Sequence, residues 1–283
     1  AISGSKKETT YFNNAKKEEV KEEIKLALKD TLTGEIKNIE LEDYIVGVVA
    51  GEMPASFNEE ALKAQAIASR TYAMYKMKNS NGTYDLVTDK TNQVYITEDK
   101  MKKIWQENFD YYFEKIKKAV YDTKDLIMTC NGNVILSMYF ARSNGKTEDA
   151  ILVFGSNEEY LKSVESPEES LTSEVTISKD EFCNKLNISC DAINISNVLK
   201  SSSGRINSLN INGKTFKGTE IRTLFDLKST DFDISIGSEI KFVTKGYGHG
   251  VGMSQYGANK LAQNGKNYEE ILKPVSYTHL TLP

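Results

Sequence analysis

Histidine and cysteine are scarce: 283 residues hold two of the first and three of the second. With only His249 and His279 to draw on, a metal site would need a carboxylate or thiolate to complete it, and no such ligand spacing occurs. Cys130, Cys183 and Cys190 make an odd count with no C-x-x-C pair, which argues against a zinc site and a disulfide framework, although Cys183 and Cys190 could pair. No metal and no cofactor is therefore expected. Long apolar runs are missing too. Nothing reaches the length of a membrane span, and the opening AISGSKKETTYFNNAKKEEVKEE is polar, with no signal-peptide core. A start at Ala1 without an initiator methionine suggests that something upstream was removed, so an anchored ectodomain stays open. Excess basic charge is absent: the net charge is −4 with both signs interspersed, which leaves nucleic-acid binding no electrostatic footprint. No phosphate loop or dinucleotide fingerprint occurs in its required context, and nucleotide binding is disfavoured.

What is present is enough chain for a real core, in one large domain or two smaller ones. Residues 1–22 are charged and poor in apolar side chains, and read as a polar lead-in or stalk. Residues 24–28 and 36–41 alternate about a Leu32-Thr33-Gly34-Glu35 turn, which predicts a β-hairpin. Helices are expected from Leu41 to the stop at Pro54, over 57–78, and over 99–120 with Ile104, Phe109, Tyr112, Ile116 and Val120 as its apolar set. Ser56 and Glu59 give the second of these a capping-box pattern. Asn131-Gly132 joins strands expected over 126–130 and 134–140. The Ser/Asn/Gly/Thr-rich stretch 141–150 then reads as a surface loop, open to function. Residues 166–174 resemble a boundary, and 175–243 mix a short helix near 179–186 with strand-like runs, two of them joined by Asn212-Gly213.

The fold class expected is α+β: a helical catalytic core with hairpins, 23–165 together with 244–273, and a smaller β-rich insertion, 166–243, forming a groove.

Two blocks carry chemistry. In the first, Leu41, Tyr44, Ile45, Val48 and Val49 form a helical apolar stripe, and Glu52 falls four residues beyond Val48 on the same stripe, at a helix–helix corner. Partial burial there would raise the pKa of Glu52, as a general acid near neutral pH requires. The competing role is a solvated or salt-bridged structural glutamate. In the second block, GYGHGVGMSQYGA over 246–258, five glycines surround His249. Glycine at that density implies close backbone approach or positive φ, so the block reads as a ligand-facing loop. His249 could polarise or orient a substrate, while Ser254, Gln255 and Tyr256 offer hydrogen bonds and a stacking face suited to sugars. Equally, the histidine could simply satisfy a backbone carbonyl.

Together, AGEMPASFNEEALKAQAIASRTYA and GYGHGVGMSQYGA resemble the two signature regions of the stage II sporulation protein D family. YFARSNGKTED, EYLKSVESPEE and the segment SSSGRINSLNINGKTFKGTEIRTLFDLKSTDF are similar to the family's intervening segments, so the resemblance spans about 24–273. It implies a peptidoglycan lytic transglycosylase of endospore-forming bacteria, with amidase enhancers among the relatives. On that resemblance Glu52 is the catalytic acid/base, and Arg70, Thr147, Tyr160 and Lys162 support activity. The residues themselves equally allow a buried ion-pair partner, a turn hydroxyl, a core ring and a solvated charge.

The resemblance also implies denuded glycan strands as substrate, stage II sporulation proteins P and M as partners, and a place between mother cell and forespore, anchored by an N-terminal helix outside this chain. Some relatives carry a histidine where this chain has Ala141-Arg142, so a metal site built on it is expected to be absent. PVSYTHLTLP, 274–283, departs from the family's tyrosine-rich continuation and reads as a non-native tail, so His279 enters no argument. The alternative from another class is a non-catalytic activator of a cell-wall amidase that binds peptidoglycan.

Overall fold

Leu26 and Leu28 are buried from β1 (Lys25–Lys29), which pairs antiparallel with β2 (Ile36–Glu40) from Lys25↔Glu40 to Lys29↔Ile36. The Asp30 carboxylate accepts the Leu32 and Thr33 amides at 2.8 and 3.0 Å and so closes the expected turn. The computed structural model describes residues 23–276 and 279–281; the expected lead-in over 1–22 lies outside the described residues.

Helix α1 (Leu41–Glu52) follows, its stripe of Tyr44, Ile45, Val48 and Val49 fully buried. Pro54 lies just past its end. Helix α2 (Glu59–Lys78) begins two residues later than expected, because Asn58 is its cap: the carboxamide oxygen accepts the Glu60 N–H at 3.0 Å. Ser56 does not cap this helix, and Glu59 is instead ion-paired to Lys63 and Lys118. A short strand, β3 (Leu86–Val87), runs parallel to β1.

The single helix expected over 99–120 is two, α3 (Glu98–Trp105) and α4 (Phe109–Asp122). Gln106 adopts φ 48, which stops the i→i−4 ladder, and a 3-10 turn over Gln106–Asn108 restarts it. Ile104 is consequently exposed rather than core. Helices α1, α2 and α4 pack on one another. Burial of Ile45, Leu62, Ile67 and Ile116 stabilises this core by roughly 1.5–3 kcal/mol apiece.

β4 (Ile127–Cys130) and β5 (Asn133–Val134) form the Asn131-Gly132 hairpin, both turn residues at positive φ. A closing strand, His279–Thr281, pairs antiparallel with β4. The strand expected over 134–140 is broken. Its end, β6 (Tyr139–Phe140), leaves β4 to pair with another segment.

The described chain falls into two compact units that change over after Ser137, the strand His279–Thr281 returning to the first. In the second unit come α5 (Ala150–Phe154), β7 (Thr172–Ser178), α6 (Lys179–Leu186), β8 (Ile195–Lys200), β9 (Ile206–Ile211), β10 (Lys214–Lys217), α7 (Gly218–Leu224), β11 (Phe232–Ile236), β12 (Glu239–Lys245), β13 (Met253–Ser254), α8 (Gln255–Gln263) and α9 (Tyr268–Ser276). Neither α5 nor α7 was expected.

Between 175 and 242 a separate core forms around Phe182, Phe225, Phe232 and Phe242, with Ile206, Leu209, Ile221 and Ile240. β7 enters this part and β12 leaves it, and the two pair from Thr172↔Lys245 to Ser178↔Glu239. A Cys183–Cys190 disulfide is formed beside α6.

Within the second unit, residues 139–165 are tied to the glycine block. β6 pairs parallel with β13, Arg142 and Tyr247 exchange backbone hydrogen bonds at 2.9 and 2.7 Å, and the Glu148 N–H donates to Gly250 O at 2.7 Å.

Candidate functional site

In the first unit, Glu52 is the last residue of α1, half-buried where the helix stops. Its Oε1 accepts the Val94 backbone N–H at 2.7 Å. Val94 belongs to a segment that lies across α1, and two glycines one turn apart let it approach. A Cβ at Gly47 would come within 2.2 Å of the Tyr95 ring and one at Gly51 within 2.4 Å of Val94 O. The Ile96 N–H donates to Gly47 O at 3.2 Å.

The same segment is fixed by side chains. The Tyr95 ring stacks on Tyr44 with centroids 5.6 Å apart. Tyr44 donates to Gln93 Oε1 at 3.1 Å, and Gln93 Nε2 donates to Ser69 O of α2 at 3.3 Å. Burial pushes the Tyr44 phenol well above its usual range, and neighbouring Tyr72, Glu52 and Tyr95 add to it. Sequence reasoning missed this segment. The available signal was the Gly47/Gly51 pair on an otherwise apolar helix.

Arg70 is buried and fully engaged. Its Nε and NH2 donate to the two carboxylate oxygens of Glu42 at 2.8 and 2.6 Å, and its guanidinium also donates to Leu126 O and Val120 O at 3.2 and 3.0 Å. Glu42 precedes Glu52 by ten residues on one helix, about 15 Å along the axis. The fork therefore ties α2 to the start of α1, to α4 and to Leu126 just ahead of β4. It serves the end of α1 opposite Glu52.

The remaining residues picked from the sequence lie in the second unit. Thr147 zips onto the stretch that follows Tyr160: its N–H donates to Val164 O at 2.8 Å, and its Oγ1 accepts the Val164 N–H at 2.9 Å. Tyr160 packs on the small cluster of Ala150, Leu161 and Val251. Lys162 reaches Asn157 Oδ1 at 3.0 Å.

Gly246, Gly248, Gly250 and Gly252 all have positive φ, and they face protein rather than open space. A Cβ on Gly252 would meet Met138 O at 2.0 Å. His249 sits between the rings of Phe140 and Phe154, its Nδ1 accepting the Val251 N–H at 3.1 Å. Burial pulls the imidazole down to about 4, the Arg222 and Arg205 charges add to that, and a hydrogen bond to the Tyr139 backbone opposes it. At neutral pH it is an uncharged ring that fastens the block to β6. Ser254 caps α8, accepting the Gly257 N–H at 3.2 Å. Gln255 is buried, and the Arg142 guanidinium lies 3.7 Å above the Tyr256 ring.

Two buried carboxylates in this unit escaped the sequence reading. Glu168 accepts the Ser143 N–H at 2.7 Å, the Ser166 hydroxyl at 2.6 Å and the Ser254 hydroxyl. Burial by itself raises this carboxyl, but the hydrogen bonds from Ser166, Ser254 and Ser143 outweigh it and hold the group below the usual carboxylate range. Glu148 accepts the Ser201 and Ser203 hydroxyls at 2.5 and 2.7 Å, and Arg205 donates to Ser203 Oγ and Lys146 O at 3.0 Å each. Their signal was serine spaced around glutamate in four separated segments, which becomes legible only once those segments are brought together.

The sequence profile of a family described as Stage II sporulation protein matches residues 29–130, a stretch that takes in Gly47, Gly51, Glu52, Arg70 and Val94. Stage II sporulation protein D of Bacillus subtilis (strain 168) is 38% identical over 262 residues, which cover 88% of this chain and 76% of that protein. The chain belongs to the stage II sporulation protein D family. The Bacillus amyloliquefaciens stage II sporulation protein D is 39% identical over 250 residues, covering 84% of this chain and 73% of its own. An amidase enhancer of Bacillus subtilis (strain 168) is 30% identical over 291 residues, covering 80% of this chain and 38% of its own. As a member of the stage II sporulation protein D family, the chain has Glu52 and the segment across α1 inside the matched profile, and its glycine block beyond it. Among the described residues no helix is long and apolar enough to cross a membrane.

Proposed function

We propose that the chain remodels the cell wall during endospore formation, as a lytic transglycosylase that cuts the bond between N-acetylmuramic acid and N-acetylglucosamine. The observation that carries this reading is Glu52: a half-buried carboxyl at a helix end, held through Oε1 by a backbone amide, beside a helix whose Tyr44 stacks with Tyr95. Glycoside hydrolysis calls on two carboxyl groups, one as acid and one to activate water or attack. The other acidic residues of α1, Glu42 and Asp43, sit at its opposite end, and Glu42 is committed to Arg70. A transglycosylase needs no second one. Glu52 gives its proton to the glycosidic oxygen, the C6 hydroxyl of the same muramyl residue closes on C1, and that hydroxyl's proton returns to Glu52. Bonds and protons balance without water, and the intramolecular attack contributes about 7–11 kcal/mol of the barrier reduction through proximity.

The reading extends to denuded glycan strands as substrate, to the space between mother cell and forespore as the place of action, and to stage II sporulation proteins P and M as partners. Family membership and the names of the relatives support the sporulation and cell-wall part of this reading alone. A second reading, an activator of a cell-wall amidase, is favoured by the amidase enhancer at 30% identity. One experiment separates the two. Purified chain is incubated with denuded glycan strands and the product ends are weighed by mass spectrometry. The enzyme leaves 1,6-anhydro ends, and Glu52→Gln removes them. Hydrated reducing ends would mean a muramidase with a further carboxylate, and no cleavage together with stimulation of an added amidase would mean the activator.

A further inference from the structure

A general acid must present one oxygen to the leaving group in a fixed direction, and a glutamate has three side-chain torsions to freeze before it can. Around Glu52 the structure provides a device for this. The segment Gln93–Ile96 reaches the end of α1 with its Val94 N–H on Glu52 Oε1 at 2.7 Å. Three attachments hold that segment: the Ile96 N–H on Gly47 O at 3.2 Å, the stacked Tyr95–Tyr44 pair, and the buried chain from Tyr44 through Gln93 to Ser69 O. Its closeness depends on two absent side chains, since a Cβ at Gly51 would stand 2.4 Å from Val94 O and one at Gly47 2.9 Å from Ile96 O, both backbone atoms.

We infer that Gln93–Ile96 is a positioning strap for Glu52, seated on Gly47 and Gly51, and that the Val94 N–H on Oε1 fixes the direction in which the carboxyl is presented. Val94, Gly47 and Gly51 act through Glu52 and touch no substrate in this scheme. The inference rests on the catalytic reading of Glu52 for its consequence in turnover, but the strap itself is read independently.

The first measurement is therefore spectroscopic and uses the intact chain. The Val94 amide shift is followed by 15N NMR from pH 3 to 8. Burial holds the Tyr44 and Tyr95 phenols above the usual tyrosine range, so neither changes charge in this window. Asp43, which acts on Tyr95, is separated by the variant Glu52→Gln. The expected result is a Val94 amide that titrates in the wild type and no longer does so in Glu52→Gln. An amide that ignores pH, or that titrates equally in the variant, overturns the strap.

The second measurement is turnover in Gly51→Ala and Gly47→Ala, corrected for the folded fraction by circular dichroism. A displaced acid lowers kcat by about a hundredfold with KM little changed. Loss of folding alone would leave turnover per folded molecule intact and would refute the positioning role. Should Glu52→Gln retain anhydro-end formation, the catalytic reading falls while the amide titration still decides the strap.

Discussion

Acid should loosen the second unit through one imidazole. His249 is pulled down to about 4, chiefly by burial and then by the Arg222 charge, whereas the unfolded chain offers an ordinary histidine near 6.5. Between these values the unfolded state binds the extra proton, so stability rises with pH there. It is fully present above about pH 6.5 and drains away as pH falls towards 4. Linkage over that span gives a loss of about 2 kcal/mol between pH 7 and pH 5, and about 3 kcal/mol by pH 4.

The assay is urea unfolding at a series of pH values for the wild type and for His249→Gln, which keeps a neutral polar group of similar reach. The variant is less stable at pH 7, because the amide fits the Phe140–Phe154 slot less well. Its stability should nevertheless fall by about 2 kcal/mol less than the wild type's between pH 7 and 5. Parallel pH slopes in the two proteins, or an imidazole that titrates near 6.5 by NMR in the folded chain, would refute the account of His249 as a neutral fastening.

Removing the charge at Glu168 with Glu168→Gln strands donors from Ser143, Ser166 and Ser254 and should cost at least about 2 kcal/mol in chemical denaturation at pH 7. Because that carboxyl is held below its usual range, the wild-type advantage exists above about pH 4.5 and disappears as pH falls through the lower folded value. Arg70→Ala leaves Glu42 buried without its fork and should lose about 3–5 kcal/mol, read from the urea midpoint. Arg70→Lys should be less damaging, and its turnover per folded molecule should match the wild type, since the pair lies at the far end of α1 from Glu52.

Local periodicity carried much of the first unit. The hairpin at Gly34, the stripe of α1 and the Asn131-Gly132 turn depend on neighbours a few residues away, and such patterns can be read along the chain. Gln106 is different: nothing in its type announces φ 48, so one expected helix became two. The site followed the same division. The place of Glu52 at the end of an apolar stripe was legible, while its amide partner Val94 lies 42 residues away. Arg70 was named on the resemblance, and its partner Glu42 emerges only from the fold, because a buried arginine and a substrate-binding arginine look alike along the chain. Glu148 and Glu168 were hidden because their serines come from distant segments, and a hydroxyl acquires its meaning from the group it meets.

The alternation of left-handed glycines at 246, 248, 250 and 252 has an evolutionary consequence. A residue inserted within this strip, or one removed, would slide the larger residues between them into several left-handed sites together, each already crowded by Phe140, Met138 or Arg205. Substitution at 247, 249 and 251 can proceed one step at a time, but a change of length cannot. The strip is thus a fixed ruler in a chain whose 131–132 turn has open space about its glycine, and lineages should differ in the length of that turn long before they differ in the length of this one.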